Sequence, residues 1–239
     1  MQLLDYTYPN PAENLACDEV LLDECDAGQR GGVLRFWESS KPFVVVGYGN
    51  RIASEVHHAV CEKRGIPIFR RCSGGGTVVQ GPGCLNYAVV LRIDSAIELA
   101  SVACTNKLVM ERNRLALQSL IPDLITIQGH TDLAIEGIKF SGNAQRRRKH
   151  ALLFHGTVLL HFDLLSIDEL LPLPSQQPGY RQSRTHRDFV RSFPASVVSV
   201  KDALVASWKA NMPGEPAVAT TVQRLVADRY SQSAWNFNL

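Results

Sequence analysis

Between residues 124 and 161 the chain places three or four short strand-like runs so close together that few architectures can hold them. The runs 124–127, 132–135, 138–146 and 152–161 are separated only by turn residues, among them Glu136-Gly137. Parallel neighbours need a crossover of a dozen residues or more, so runs this close pair antiparallel. A doubly wound parallel sheet is thereby disfavoured, and an α+β domain with a mainly antiparallel sheet and flanking helices is predicted. Upstream, Asn10-Pro11-Ala12-Glu13 supplies an N-cap, a proline at N1 and a glutamate at N3, which predicts a helix to about Asp26. Strands are predicted over 33–37 and 43–46, joined by a Ser-Ser-Lys-Pro turn, over 67–71, and over 85–92. Helices are predicted over 53–64, ending at Gly65, over 96–119, and over 166–171, 184–192, 199–210 and 219–229.

Composition narrows the function classes. Of 239 residues, 45% are hydrophobic and 20% charged, too apolar for a disordered chain, and the formal charge of +2 argues against a nucleic-acid coat. Arginine makes up 18 of the 25 basic residues, a skew toward planar recognition of anions. No run approaches a membrane span and the start turns acidic, so a cytoplasmic protein is expected. The six cysteines lie at 17, 25, 61, 72, 84 and 104 with no zinc or disulfide spacing, so buried reduced thiols are expected.

Three segments stand apart from this scaffold. Arg70-Arg71-Cys72-Ser73-Gly74-Gly75-Gly76-Thr77-Val78-Val79-Gln80 sets three glycines behind two arginines, which lets backbone N–H groups approach an anion. It matches neither a Walker A loop nor a dinucleotide fingerprint. In Asp132 to Gln145, strand alternation puts Ile138 and Phe140 on one face and Lys139 and Ser141 on the other, beside the small Gly142 and Ala144. A lone strand lysine is normally solvated, but those small neighbours leave room for a bound group. In Phe154-His155-Gly156-Thr157, the histidine taken by itself reads as a satisfied core residue sooner than as a functional one. No Ser-His-Asp or Cys-His signature is legible.

Taken in order, Arg-Arg-x-Ser-Gly-Gly-Gly-x-Val, Asp132 leading to Lys139-Phe140-Ser141-Gly142-Asn143-Ala144-Gln145, and His155-Gly156-Thr157 resemble the lipoate-protein ligase A family. Asn14-Leu15-Ala16-x-Asp18-Glu19, Leu34-Arg35-Phe36-Trp37 with Gly47, and Ala234-Trp235-Asn236-Phe237 extend the resemblance over nearly the whole chain. It implies one catalytic domain over 1–239, without the small C-terminal accessory domain of many ligases, in a fold related to biotin ligases and class II aminoacyl-tRNA synthetases. The implied activity joins lipoate or octanoate to the α-phosphate of ATP, with Mg²⁺, and passes the acyl group to a lysine of a lipoyl domain. The acceptor would be of the 2-oxoacid dehydrogenase E2 or glycine-cleavage H type; for the accessory domain, either a separate polypeptide supplies it, or the first half-reaction works without it, or the chain has a different activity.

By the same resemblance, Lys139 bridges carboxylate and α-phosphate, and Arg71, Ser73 and Gly74 to Gly76 hold anionic groups. Thr77, Val78 and Val79 receive adenine. Ser141, Gly142, Ala144, His155, Gly156 and Thr157 shape the acyl pocket, and Asp132 contacts the acceptor lysine or Mg²⁺. Gln80, Asn86 and Arg184 are further candidates with no assigned role. The chain departs from many relatives in carrying Gln80-Gly81 for His-Asp and Cys84 for Asn.

Two rival readings stand beside this one, the second from a different class. An octanoyltransferase of the same fold works through a cysteine, near the His-Gly-Thr strand in one branch and before the Asp-Leu element in another. Residues 105–239 contain none. A non-catalytic binder of nucleic acid or acidic protein is suggested by Arg146-Arg147-Arg148-Lys149-His150 and by Arg181, Arg184, Arg187 and Arg191. No aromatic stacking pattern accompanies them. Arginines at 181, 184 and 187 are spaced to line one side of a helix or loop over a nucleotide.

Overall fold

A computed structural model describes residues 1–93 and 99–238. Its main sheet grows from the run of close strands. β6 (Cys84–Arg92), β7 (Ile125–Gln128), β8 (Asp132–Ile135), β9 (Ile138–Arg147) and β10 (Ala151–Leu159) fall in the neighbour order β6-β10-β9-β8-β7, every pair antiparallel. The β8–β9 turn places both Glu136 (φ 52°) and Gly137 (φ 72°) in the left-handed region, the geometry that closes a two-residue hairpin. Beyond β6 lie β2 (Val33–Trp37), antiparallel to it, then β1 (Gln2–Asp5) and β11 (Met212–Pro213), each joined in parallel. The expected α+β architecture with a mainly antiparallel sheet is therefore what the chain adopts.

Helices cover both faces. α4 (Val102–Gln118) and α7 (Val197–Trp208) close one face over Leu85, Val89, Phe140, Leu152 and Phe154. α1 (Pro11–Asp26) and α8 (Ala219–Leu225) close the other over Ala88, Val90 and Leu153. α1 starts where the capping residues require: the Asn10 side chain accepts from the Ala12 N–H, and the Glu13 carboxylate accepts from the Asn10 N–H.

Four sequence expectations differ from the structure. β3 (Phe43–Val46) does not return along β2; it forms a second sheet with β4 (Ile68–Arg70) and β5 (Val78–Gln80), in the order β4-β3-β5. The predicted helix 53–64 is two short helices, α2 (Ile52–Glu55) and α3 (His58–Lys63), because Val56 is extended (φ −140°, ψ 134°). The longest helix starts at Val102, capped by Ser101, and residues 96–98 of the predicted span lie outside the described residues. Of 184–192, only α6 (His186–Phe189) is helical, after α5 (Leu165–Leu170) and a single turn at Gly179–Arg181. The chain ends in a π-helical turn, Val226–Tyr230, and α9 (Ser233–Asn236).

Candidate active site

Lys139 leaves β9 where the strand is irregular. Leu133 pairs with Ser141 and Ala134 with Lys139, so Phe140 is an extra residue whose ring enters the core. The bulge resets the alternation expected from sequence. Ser141 Oγ lies on the side of Asn143, 3.4 Å from its Nδ2, while Lys139 lies over the opposite side, on Gly142. A Cβ built on Gly142 would stand 2.6 Å from Lys139 Nζ, so the ammonium occupies the space a side chain would need. Asp132 Oδ1 holds Nζ at 2.8 Å, and Asp132 Oδ2 accepts from the Tyr180 hydroxyl at 2.7 Å. The lysine is thus aimed by a three-group chain and still one-quarter exposed.

The glycine turn is shaped by arginine, in a way the sequence did not reveal. Arg71 Nη2 donates to the carbonyls of Gly74 (2.6 Å) and Gly76 (2.7 Å), and its Nε donates to Ser73 Oγ (3.1 Å). Its guanidinium therefore gathers the loop's carbonyls. Burial lowers its pKa to about 10, which leaves it charged at neutral pH. Arg70 does the same next door, donating to the carbonyls of Gly47, Tyr48, Asn50 and Trp235. Gly75 sits at φ 87°, and its carbonyl passes so close to Gly47 that a Cβ there would be 2.0 Å away. With those carbonyls turned inward, the exposed N–H groups of Gly74, Gly75 and Gly76 have no acceptor among the described residues.

His155 closes the other side. Its Nε2 lies 2.5 Å from Ser73 Oγ, and its Nδ1 faces Asp18 Oδ2 at 3.5 Å. A carboxylate facing Nδ1 favours the proton there, leaving Nε2 to accept from the serine hydroxyl. Asp18 is buried and its Oδ1 receives Arg35 Nη1 at 2.5 Å. Burial pushes its carboxyl up, but Arg35 and then His155 outweigh that and hold it below the usual carboxylate range. Alongside, Gln80 Nε2 donates to Thr157 Oγ1 (2.6 Å), which donates to Asn86 Oδ1 (2.8 Å). Gly156 leaves space for Asn143, whose Oδ1 accepts from the Tyr87 hydroxyl; a Cβ there would overlap that oxygen.

These groups border one cleft of about 530 Å³, a size suited to a small substrate. It brings together most of the sequence-derived candidates: Arg71, Gly75, Gly76, Thr77, Val78, Val79, Gln80, Asn86, Asp132, Lys139, Ser141, Gly142, Ala144, His155, Gly156 and Thr157 all line it. Ser73 stands behind His155, and Gly74 and Arg184 lie outside the lining. Asp18, Trp37, Arg181 and His186 also line it, none of them among the site residues carried over from the resemblance. The first two belonged to the recognised opening motifs, so a signal existed; the last two had none beyond the arginine spacing.

The remaining candidates are taken up elsewhere. Arg147 donates to Thr105 and to the Leu99 carbonyl, and Arg148 pairs with Asp23 and Glu19, so much of the 146–150 run serves the fold. Cys17, Cys25, Cys61, Cys72 and Cys84 are buried, as expected; Cys104, expected to be buried, is exposed near the start of α4. No helix among the described residues is long and apolar enough to cross a membrane.

Known proteins resemble this chain in sequence and fold. The family model of the lipoyl protein ligase A/B catalytic domain matches residues 10–218. A probable lipoate-protein ligase A of Mycoplasma pneumoniae is 32% identical over 162 residues, 67% of this chain and 46% of that protein, so the chain spans less than half of that relative's length. A lipoate-protein ligase A subunit 1 of Thermoplasma acidophilum is 27% identical over 99% of this chain and 96% of its own, and an octanoyltransferase LipM of Halalkalibacterium halodurans is 25% identical over 95% of each. Among solved structures, a lipoate-protein ligase A bound with ATP superposes with a TM-score of 0.77 at 26% identity, over 100% of this chain and 98% of that one. The chain belongs to the lipoyl protein ligase A/B catalytic domain family.

Proposed function

We propose that this protein is the ligase rather than the transferase of its family: residues 1–239 form one catalytic unit that activates lipoate or octanoate on ATP and passes the acyl group to a lysine of a lipoyl domain. The observation that carries the choice is the state of its thiols. Transfer through an acyl-enzyme needs a thiolate in the cleft. Residues 105–239 hold no cysteine, and burial pushes Cys72, beside the glycine turn, up to about 12 and Cys84 higher still. Adenylation needs no nucleophile from the enzyme, because the substrate's own carboxylate attacks the α-phosphorus and pyrophosphate leaves. The acceptor lysine then attacks the acyl carbon and AMP leaves. Lys139 supplies the fixed positive charge for both oxyanions, and the N–H groups of Gly75 and Gly76 supply uncharged donors for phosphate oxygens. The relative solved with ATP supports a nucleotide in this fold.

Magnesium belongs in this reading to the nucleotide, not to the chain. Both oxygens of Asp132 are engaged, by Lys139 and Tyr180. A separate accessory polypeptide and an E2-type acceptor are supported by the bi-partite Thermoplasma ligase described with its E2 lipoyl domain. Exchange of pyrophosphate into ATP, measured with and without lipoate or octanoate, tests the proposal. Acid-dependent exchange is expected; ATP-independent acyl transfer from an octanoyl carrier-protein thioester, without exchange, would overturn it.

A further inference from the structure

Of the arginines that the sequence offers for anion binding, most are spent on the fold or lie outside the cleft, and Arg181 is the exception. Arg71 and Arg70 are engaged by loop carbonyls. Arg184 donates to the carbonyls of Gly137, Tyr180 and Arg181, and Arg187 is exposed. Among the described residues, four buried guanidinium nitrogens have no hydrogen-bond partner: Arg35 Nε, Arg70 Nη2, Arg146 Nε and Arg181 Nη2. Of these four residues, Arg181 alone lines the cleft.

Arg181 is 4% exposed and positioned from three sides. Its Nε donates to the Arg184 carbonyl at 3.1 Å, and its guanidinium carbon lies 4.6 Å from the centre of the Phe189 ring. Its chain neighbour Tyr180 donates to Asp132, the carboxylate that holds Lys139. Burial lowers its pKa, and Asp168 acts on it through space. A buried cation with an idle donor destabilises a fold, so its retention at the wall of a substrate cleft calls for an anion that arrives with the substrate.

We propose that Arg181 is the oxyanion receptor of this cleft, pairing with a phosphate or carboxylate oxygen of the substrate near the Lys139–Asp132 pair. The planar fork suits either group, because both present two oxygens side by side. The phosphate source rests on the ATP-dependent function proposed above; the carboxylate source does not.

The test compares wild type with Arg181→Met and Arg181→Lys by titration calorimetry, with ATP and octanoate as separate ligands, and by thermal denaturation of the free proteins. Arg181→Met is expected to weaken one ligand at least about tenfold, the scale of a charge-assisted hydrogen bond, and to leave the other within about twofold. The ligand that weakens identifies the oxyanion. Arg181→Lys is expected to recover part of the loss. The melting temperature of Arg181→Met is expected to hold or rise, since an unpaired buried charge has been replaced by an apolar chain; a structural arginine would show the opposite. Unchanged affinity for both ligands in a folded Arg181→Met protein would overturn the proposal, as would a fall in melting temperature in both variants that tracks their loss of binding. Octanoate binding without ATP binding in wild type would remove the ATP-dependent function and leave Arg181 to the octanoate arm. Wild type binding neither ligand would remove both.

Discussion

Gly142→Ala should separate catalysis from stability. The new Cβ would stand 2.6 Å from Lys139 Nζ and 2.7 Å from its Cε, both at the far end of a flexible side chain, so the lysine moves and the backbone does not. Swinging Nζ away breaks its 2.8 Å contact with Asp132, a partly exposed pair. Such pairs contribute about 0–1 kcal/mol, and removing a glycine's unfolded-state freedom returns about 0.4–1 kcal/mol. The two offset, and the melting temperature should shift by less than about 3 °C. Catalysis has no such offset. Removing one preorganised donor from a developing oxyanion costs roughly 100- to 1,000-fold, about 2.7–4 kcal/mol, and a 1 Å misplacement alone costs roughly 100-fold. The assay is single-turnover formation of acyl-adenylate at saturating ATP and octanoate, beside thermal denaturation of the same sample. A folded Gly142→Ala protein that adenylates within about threefold of wild type would refute the reasoning, because the lysine's seat on Gly142 would then be irrelevant to the chemistry.

Other perturbations should give distinct outcomes. Gly47→Ala drives a Cβ to 2.0 Å from the Gly75 carbonyl, which is backbone and cannot step aside; it should cost about 1–3 kcal/mol of stability and weaken ATP binding together, read by denaturant titration and calorimetry. Asp18→Asn removes the charge that faces buried Arg35 and should cost about 3–5 kcal/mol at pH 7. Because Arg35 and His155 hold the folded Asp18 pKa below its ordinary 3.8, the unfolded chain takes up the proton first. Its stabilisation is full above that pH and lost as pH falls through the lower folded value, so Asp18→Asn should flatten the acid limb of the stability curve below about pH 4. In native protein, iodoacetamide should modify Cys104 rapidly, leave Cys17, Cys61, Cys72 and Cys84 slow, and spare adenylation; loss of activity paralleling modification of Cys72 or Cys84 would revive the thioester route.

What was legible in the sequence was what local pattern controls. The close runs from 124 to 161 dictated antiparallel neighbours, Asn10 to Glu13 started α1 in place, and Glu136-Gly137 made the hairpin. What escaped depends on partners far along the chain. β11 is a short edge strand that exists through parallel pairing with β1 across some 200 residues, and nothing in Gln2–Asp5 announces Met212–Pro213. β3 has the composition of a hairpin partner for β2, yet the closeness of Gly47 to Gly75 shows why it leaves: the second sheet is the platform of the glycine turn. The same distinction divides the site. Lys139, Asp132 and the glycines were visible as motifs, because their spacing is local. That Arg71 faces carbonyls, that Phe140 bulges and turns Ser141 from Lys139, and that Arg181 is buried with an idle donor are tertiary facts, and no single segment encodes them.

In the proposed mechanism the acyl group is activated on the nucleotide and never rests on the protein. The most direct measurement incubates the purified chain with ATP, Mg²⁺ and octanoate, and separately with an octanoyl carrier-protein thioester, and reads both reactions by mass spectrometry of small molecules and of the intact protein. Octanoyl-AMP should appear in the first reaction, fall away with Lys139→Ala, and leave the chain at its unmodified mass in both. An octanoyl adduct on the chain in the second reaction, with no acyl-adenylate in the first, would contradict the account.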